Sequence, residues 1–213
     1  LILKLFQIAP VLMILSFIVL SCEKEDDPNK FIPAEKKEIK GYVQKGPFIN
    51  GSSITVSELN SGLIQTGKTF NTQIFDNKGS FELNQVELTS QFVELRANGF
   101  FYNENSGEKS AAQLTLYALT DLTDNTSVNV NVMSHLEKNR INHLVSRGSS
   151  FNNAKKQAQE EILQLFSIHK SDMTESELLD ISKEGEDNGV LLAISVILQG
   201  FRTDAELSEL MAN

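Results

Sequence analysis

The positions of proline and glycine divide this 213-residue chain into two parts that follow different structural rules. All four prolines lie at or before Pro47, and eight of the twelve glycines lie between Gly41 and Gly107. Glycine supplies the backbone conformations that tight turns need, whereas a long stretch without proline is free to form helices. The distribution therefore predicts an α+β fold in which a strand-rich part precedes a helical part.

Short runs of alternating apolar residues predict about seven strands before residue 121. Turn-forming pairs such as Asn50-Gly51 and Asn98-Gly99 separate these runs, as hairpins require. Seven short strands at this spacing are typical of a β-sandwich, so we assign residues 38–120 to an N-terminal seven-stranded β-sandwich domain. The predicted strands contain Gly41–Lys45, Ile54–Val56, Phe70–Ile74, Phe81–Leu83, Val93–Ala97, Phe100–Asn103 and Leu114–Ala118.

In the second part of the chain, apolar residues such as Met133 and Ile141 recur at intervals typical of amphipathic helices. This pattern predicts a small α-helical domain over residues 126–213. The run Val190–Phe201 is apolar almost all round, yet it is too short to span a bilayer. We therefore expect it to be the buried central helix of a small bundle.

Capping residues predict where these helices begin and end. The predicted helix starts are Ser150, Thr174-x-x-Glu177 and Thr203-x-x-Glu206, and the predicted helix ends are Gly148 and Gly185. The last helix carries Leu207 and Leu210 on one side and stops at Asn213 with nothing to cover them. We therefore expect the helical domain to be truncated and the chain to be a fragment of a longer protein.

The N-terminal segment has the pattern of a lipoprotein signal peptide. Residues 5–20 are almost entirely apolar, follow the single charge of Lys4, and fall short of the roughly 20 apolar residues that span a bilayer. They end just before Cys22. Because Cys22 is the one cysteine of the chain, an intrachain disulfide is excluded. We assign residues 1–21 to the signal peptide and Cys22 to lipidation; a transmembrane anchor is the alternative.

Residues 22–37 are predicted to be an acidic flexible tether, because they are charged and contain two prolines. The order Lys24-Glu25-Asp26 directly after the lipidated cysteine resembles the export signal of surface-exposed lipoproteins in Bacteroidetes-type bacteria. The resemblance implies a lipid-anchored protein of the outer membrane, displayed at the cell surface. A plain solvated spacer is the alternative interpretation of the same charges.

Glycine and aromatic residues in the strand-rich part follow a recurring order. The order is Gly41-x-Val43, Gly46-Pro47, Gly51-Ser-Ser-Ile54-x-Val56, Thr72, Asp76-x-x-Gly79-x-Phe81-x-Leu83, Val93-x-Leu95 and Asn98-Gly99-Phe100. It resembles a carboxypeptidase regulatory-like (transthyretin-like) β-sandwich. It departs from that family in having Ser52-Ser53 where a Gly-Ala pair is common and a longer insertion between Val56 and Thr72. Domains of this family are non-catalytic accessory or spacer modules, so the resemblance implies no active site.

One segment, Gly62–Thr69, matches the phosphate-binding pattern G-x-x-x-x-G-K-[ST]. A phosphate-binding loop must open a helix, so that free amides and the helix dipole face the phosphate. The residues that follow Thr69, from Phe70 to Ile74, alternate like a strand instead. We therefore interpret Gly62–Thr69 as a hairpin loop and predict no nucleotide or other cofactor.

The candidate metal ligands lack the spacing of known sites. His135 and His143 lie eight residues apart on the first helix, outside any H-E-x-x-H arrangement. The segment Asp121-x-x-Asp124-Asn125 lacks the alternating ligands and central glycine of an EF-hand loop. We predict no metal site, and we interpret the aspartate segment as a polar linker between domains.

Catalytic and nucleic-acid-binding signatures are also missing from the sequence. There is no G-x-S-x-G elbow, and the acid pairs Glu160-Glu161 and Glu175 with Glu177 are expected on solvated helix faces. Clustered basic residues are needed to bind a polyanion, whereas this chain has 19 Lys and Arg against 28 Asp and Glu and a formal charge of −9. We therefore expect neither a catalytic centre nor a nucleic-acid partner.

These features predict a lipid-anchored cell-envelope protein that acts as a non-catalytic binding or structural module for an unidentified protein or glycan. Two alternatives stay open. One is an accessory, periplasm-facing lipoprotein of an outer-membrane complex, and the other is an enzyme with its site in the helical half. A deep pocket with converging polar groups would favour the enzyme, and an exposed apolar patch would favour a partner surface.

Overall fold

The computed structural model describes residues 38–124 and 127–213; Cys22, the predicted signal peptide and the predicted tether lie outside these residues. The described residues contain nine strands and four α-helices, which confirms a mixed α+β fold. The strands are β1 (Glu38–Gln44), β2 (Ser53–Leu59), β3 (Gln65–Gln73), β4 (Ser80–Asn84), β5 (Phe92–Gly99), β6 (Tyr102–Asn103), β7 (Glu108–Lys109), β8 (Leu114–Asp121) and β9 (Val130–Asn131). The helices are α1 (Val132–Ser146), α2 (Phe151–Leu165), α3 (Glu186–Gln199) and α4 (Asp204–Ala212), with a 3₁₀ turn at Ser176–Leu178.

The described strands form three sheets. A four-stranded antiparallel sheet has the order β3-β2-β5-β8, a three-stranded sheet has the order β4-β1-β9, and β6 pairs with β7. In the three-stranded sheet, β1 is antiparallel to β4 and parallel to β9. Strand β9, which directly precedes helix α1, therefore completes the three-stranded sheet to which β1 belongs.

Gly41 shows why β1 lies so close to the segment that leads into β9. A Cβ atom at Gly41 would lie 2.0 Å from the carbonyl oxygen of Val128, which is backbone and has little room to move. The amide of Val128 donates to the carbonyl of Lys40 at 2.8 Å. Only glycine permits this close backbone approach.

The predicted runs of alternating residues lie in or beside observed strands, and the turn Asp76–Gly79 forms as expected. Asp76 Oδ1 accepts hydrogen bonds from the amides of Lys78 and Ser80, each at 2.9 Å, and Gly79 adopts a φ of +84°. The sequence does not predict β7 or β9, because two residues are too few to show alternation. Their pairing depends on distant partners rather than on local pattern.

The main apolar core is shared by the sheets and the helices. One cluster of buried side chains includes Val56 and Leu95 from the four-stranded sheet together with Leu191, Ile194 and Leu207 from the helices. Burying each such side chain stabilises the fold by about 1.5–3 kcal/mol. The helices therefore pack on the strands through common contacts, and the division into domains at 38–120 and 126–213 stays a prediction.

Three of the predicted helix boundaries are confirmed. Ser150 caps α2, since its side chain accepts a hydrogen bond from the amide of Asn153. Thr203 and Glu206 form the predicted capping box at the start of α4. Gly148, with a φ of +96°, follows the end of α1.

Two predicted boundaries are wrong. Thr174 and Glu177 do not form a capping box, because Thr174 donates from its amide and its hydroxyl to Asp187 instead. Gly185 does not end a helix but precedes α3, with a φ of +129° at the N-cap position. Both errors arise because the chain between residues 166 and 185 forms a loop and one 3₁₀ turn, where capping patterns have no helix to cap.

The prediction that Val190–Phe201 forms the buried central helix of a small bundle is also wrong. The observed helix α3 buries Leu191, Ile194 and Ser195 on one face and exposes apolar residues on the opposite face. An apolar run without polar interruptions carries no periodic signal, so the sequence cannot distinguish one buried face from complete burial. Within the described residues, no helix is both long enough and apolar enough to cross a membrane.

Candidate functional site

The helical part buries a lysine between two glutamates. Lys155 Nζ on α2 lies 2.5 Å from Glu177 Oε2 in the 3₁₀ turn and 3.2 Å from Glu137 Oε2 on α1. The three side chains are 8%, 2% and 0% exposed, respectively. This cluster, which we call the Lys155 triad, joins three separate elements of the chain.

A second group of polar contacts holds the triad in place. The hydroxyl of Ser176 donates a hydrogen bond to Glu137 Oε1, and Gln159 Nε2 donates a hydrogen bond to Ser176 Oγ at 3.1 Å. Asn131 caps α1 by accepting from the amide of Ser134, and its Nδ2 donates to the carbonyl of Ser176 at 2.6 Å. The start of α1 and the 3₁₀ turn are therefore locked together around the triad.

The charges of the triad determine its protonation states. Burial alone would lower the pKa of Lys155, but the adjacent carboxylates of Glu177 and Glu137 outweigh burial and raise it. Burial raises the pKa of the Glu137 carboxyl, with a further increase from Glu177, against the lowering effects of Lys155 and Ser176. Lys155 is thus held as an ammonium, which has no lone pair and cannot act as a nucleophile.

Two shallow cavities meet at the triad. One has a volume of about 170 Å³ and is walled by acidic residues that include Asp121, Asp124 and Glu175, while the other has a volume of about 250 Å³. Lys155 and Glu175 line both cavities. Burial, Glu177 and Asp121 raise the pKa of Glu175, whereas Lys155 lowers it.

These acidic residues do not assemble a metal site. Across residues 38–124 and 127–213, no three His, Cys, Asp or Glu side chains are arranged to hold a metal ion. Asp121, which ends β8, accepts hydrogen bonds from Gln91 Nε2 at 3.0 Å and from the amide of Thr123 at 2.8 Å. Asn125, the third member of the predicted linker segment, lies outside the described residues.

The predicted acid pairs divide between surface and interior. Glu161 lies on the surface and forms two hydrogen bonds with Arg140, at 2.6 and 2.7 Å. The expectation that Glu177 is solvated is wrong, because the 3₁₀ turn directs its side chain onto Lys155. The sequence offers no signal for the triad, since its members lie 18 and 22 residues apart on two separate helices and a 3₁₀ turn.

A second buried lysine links the strands to α3. Lys45, whose side chain is completely buried, places Nζ 2.5 Å from Glu104 Oε1 and 5.7 Å from the ring centre of Phe101. Ser195 Oγ on α3 lies 2.5 Å from the same Glu104 oxygen and 2.6 Å from the carbonyl oxygen of Lys45. Burial lowers the pKa of Lys45, with Glu104 opposing that effect.

The two predicted histidines are not brought together. His135 Nε2 donates to the carbonyl of Met211 on α4 at 2.8 Å, and its ring lies 5.7 Å from that of Tyr117. His135 lines a cavity of about 330 Å³. Burial and nearby Lys138 lower the pKa of His135, whereas the hydrogen bond to the Met211 carbonyl raises it. His143 is exposed at the other end of the helix.

The segment that matches a phosphate-binding loop belongs to a β-hairpin, as predicted, but the hairpin loop is shorter than Gly62–Thr69. Residues 60–64 connect β2 to β3, and Gly67, Lys68 and Thr69 already belong to β3. Lys68 Nζ donates to the carbonyl of Glu87 at 3.2 Å. The segment opens no helix, and the amides of Gly62, Leu63 and Ile64 donate to Asn60 instead of facing a phosphate.

Comparison with known proteins found no match to any family model, any curated protein or any solved structure.

Proposed function

We propose that this chain is a lipid-anchored cell-envelope protein of the outer membrane that acts as a non-catalytic binding or structural module at the cell surface. The observation that carries the proposal is the apolar leader of residues 1–21, which ends directly before Cys22. A single cysteine at that position supplies the thiol that lipidation requires. Removal of the leader also removes Lys4, so the mature chain is one charge unit more acidic than the whole chain.

The chemistry of anchoring accounts for the position of Cys22. A diacylglyceryl group joined to its sulfur and an acyl chain on its new amine together provide more than one lipid anchor. One acyl chain gives only marginal, reversible membrane binding, so stable attachment needs this combination. Residues 22–37 then form the tether between the membrane and the folded part.

We further propose that the four-stranded and three-stranded sheets correspond to the β-sandwich that the glycine and aromatic order resembles. In support, Ile39 and Phe81 from the three-stranded sheet share one buried cluster with Ile54, Val56 and Leu95 from the four-stranded sheet. In this interpretation the sandwich is a spacer, and the helices packed on it present the binding surface.

The state of the buried polar groups favours a non-catalytic role. Lys155 is an ammonium between two carboxylates, and Ser176 is fully buried with its hydroxyl engaged by Glu137. A nucleophile must be both accessible and activated by a base, and neither side chain meets these conditions. The polar clusters are better explained as connections between elements.

The proposed anchor is tested by expressing the full chain with its leader in a bacterium that processes lipoproteins. Replacing Cys22 with Ala should abolish fatty-acid labelling and release the protein from the membrane fraction. A matched variant, in which Lys24, Glu25 and Asp26 are each replaced by Ala, should keep the label. Labelling that persists in Cys22→Ala would contradict the lipoprotein assignment.

The proposed surface location needs a separate readout. Protease added to intact cells should degrade the native chain and spare the triple alanine variant, because that variant lacks the proposed export signal. A native chain that is protected from protease while still carrying its label would instead support the periplasm-facing alternative.

A further inference from the structure

The amine of Lys45 is buried against a single carboxyl group. Its side chain is 0% exposed, and Nζ lies 2.5 Å from Glu104 Oε1. Within the described part of the chain, no other hydrogen-bond acceptor reaches this nitrogen. An ammonium carries three N–H donors, so two of them would have no partner in the interior. A buried charge that is incompletely compensated is costly, which disfavours the ion pair at this position.

The carboxyl group of Glu104 is also incompletely partnered. Its Oε2 is buried and has no hydrogen-bond partner among the described residues. Its Oε1 lies 2.5 Å from Ser195 Oγ, which lies 2.6 Å from the carbonyl oxygen of Lys45 as well. One hydroxyl proton cannot serve two contacts as short as these. Both contacts are hydrogen bonds when Glu104 carries a proton and donates it to Ser195, because Ser195 then donates to the carbonyl oxygen.

The backbone and the surrounding rings hold the two groups together. A Cβ atom at Gly46 would lie 1.9 Å from the carbonyl oxygen of Tyr102, so only glycine lets the chain after Lys45 run this close to β6. Phe48 and Phe101 are completely buried, with ring centres 5.9 Å apart, and Lys45 Nζ lies 5.7 Å from the ring centre of Phe101. The amine and the carboxyl group therefore face each other in apolar surroundings.

The Lys155 triad shows how this pair differs from a well-compensated ion pair. Burial lowers the pKa of Lys155, but the two carboxylates of the triad outweigh burial and raise it. At Lys45, burial outweighs the opposing effects of Glu104 and Asp204, so its pKa is lowered from the ordinary value. A lowered pKa makes more of the neutral amine available, and only the neutral amine has the lone pair of a nucleophile.

We propose that Lys45 and Glu104 are joined by an isopeptide bond between Nζ and Cδ, which forms within the folded chain. The lone pair of the neutral amine attacks Cδ, which is bonded to the oxygen 2.5 Å away. A C–N bond forms and a C–O bond of the carboxylic acid breaks. The hydroxyl of the acid leaves as water with one proton from the nitrogen, so no oxidant, reductant or cofactor is required.

The fold supplies what this condensation needs. Holding the two groups in contact replaces a bimolecular reaction by an intramolecular one, which removes much of the entropic barrier. Ser195 contacts the reacting carboxyl group and keeps it oriented toward Lys45. The side chain of Glu104 is 12% exposed, which gives the released water a path to solvent.

The product also satisfies the buried polar groups better than the ion pair does. An amide has one N–H donor and one carbonyl acceptor, in place of the three donors of an ammonium and the two oxygens of a carboxylate. Two buried charges are removed. The bond links positions 59 residues apart and therefore restricts the unfolded chain.

Tandem mass spectrometry of a tryptic digest tests the bond in the full chain, expressed with its leader and purified from membranes. We expect residues 41–68 to be joined to residues 97–109, with a mass lower by one water than the sum of the two peptides. Trypsin should not cut after Lys45, because its amine is part of the amide. Fragment ions should place the link on Lys45 and Glu104.

Variants and an internal control assign the link. Lys45→Met and Glu104→Ala should each abolish the joined peptide. Glu108→Ala removes the other acid of residues 97–109, which is exposed on β7, and should leave the joined peptide in full. The peptides that contain Lys155 and Glu177 should not be joined, because Lys155 is held as an ammonium between two carboxylates.

Two results would overturn the proposal. One is a native chain that yields no joined peptide and is cut by trypsin after Lys45, a result that does not depend on whether the variants fold. The other is a joined peptide that persists in Glu104→Ala. Both results are read from peptides of the folded part, so they are independent of whether Cys22 is lipidated.

Discussion

Lys155 and Glu177 form a 2.5 Å ion pair that fastens the 3₁₀ turn to helix α2, with both side chains buried. Glu137 approaches the same ammonium from α1, so one lysine connects three elements. Buried charges are costly to desolvate, and they are tolerated only where partners compensate them. The arrangement makes the triad sensitive to the loss of any one member.

Replacing Lys155 with Met should lower the free energy of unfolding by about 3–5 kcal/mol, because two neighbouring carboxylates lose their cation in the interior. Urea unfolding of the purified protein measures this loss. Lys156→Met, one residue further along α2 and exposed, is the matched control and should stay within about 0.5 kcal/mol of the unmodified protein. Equal effects of the two substitutions would show that the triad does not stabilise the fold.

Glu58 predicts a loss of stability in acid. Its buried carboxylate accepts from the amide of Thr89 at 2.5 Å, the hydroxyl of Thr66 at 2.7 Å and the amide of Ser90 at 3.2 Å. Burial alone would raise the pKa of Glu58, but these hydrogen bonds outweigh it and lower the pKa below 4.5. The stabilisation is therefore complete above pH 4.5 and is lost as the pH falls through the lowered pKa.

Glu58→Gln should consequently lower the free energy of unfolding by about 1–3 kcal/mol at neutral pH. The substitution replaces one of the two acceptor oxygens of the carboxylate with an amide nitrogen, which cannot accept these hydrogen bonds. Unfolding curves at a series of pH values should show this difference shrinking below pH 4.5. The exposed Glu87→Gln provides the control and should change the free energy of unfolding by no more than about 0.5 kcal/mol. A constant difference between the native protein and Glu58→Gln down to pH 3 would count against the lowered pKa.

His135 leads us to predict a different pH dependence of stability. Burial and, to a lesser degree, the positive charge of Lys138 lower the pKa of His135 below its ordinary value of 6.5, although the hydrogen bond to the Met211 carbonyl has the opposite effect. Between the two pKa values, His135 is protonated in the unfolded chain and neutral in the folded chain. Stability should fall as the pH drops from about 6.5 toward the lowered pKa. His135→Gln, which retains a donor for the Met211 carbonyl, should remove this slope in calorimetric unfolding, whereas exposed His143→Gln should retain it.

Lys68 predicts an absence of nucleotide binding. Because Lys68 lies in β3 and reaches only the carbonyl of Glu87, Lys68→Ala should change the free energy of unfolding by no more than about 0.5 kcal/mol. Titration calorimetry with ATP should give no heat of binding for either protein. Binding that disappears in Lys68→Ala would restore the phosphate-loop interpretation of Gly62–Thr69.

Local pattern predicted those features that depend on neighbouring residues. Alternation located the longer strands, and the side chains of Ser150 and Thr203 located two helix starts because a cap contacts an amide only three residues away. The pattern at Thr174 and Glu177 has the same spacing but forms no cap, since Asp187 and Lys155 compete successfully for the two side chains.

The charged clusters were beyond the reach of sequence analysis for a physical reason. Lys45 and Glu104 meet across 59 residues, and Ser195 joins them from α3 across 91 residues. No periodicity links such positions, because their distance is determined by how the sheets and helices pack. The exposed face of α3 was not predicted for a related reason. Because both faces of this helix carry apolar residues, the sequence does not indicate which face packs against the core.

The lipid on Cys22 is tested most directly by mass spectrometry of the mature N-terminal peptide, isolated from membranes of cells that express the chain with its leader. We predict that the peptide begins at Cys22 and carries a diacylglyceryl group on the sulfur and an acyl chain on the amine. A peptide that begins before Cys22, or one with an unmodified thiol at Cys22, would contradict the central claim that this chain is a lipid-anchored envelope protein.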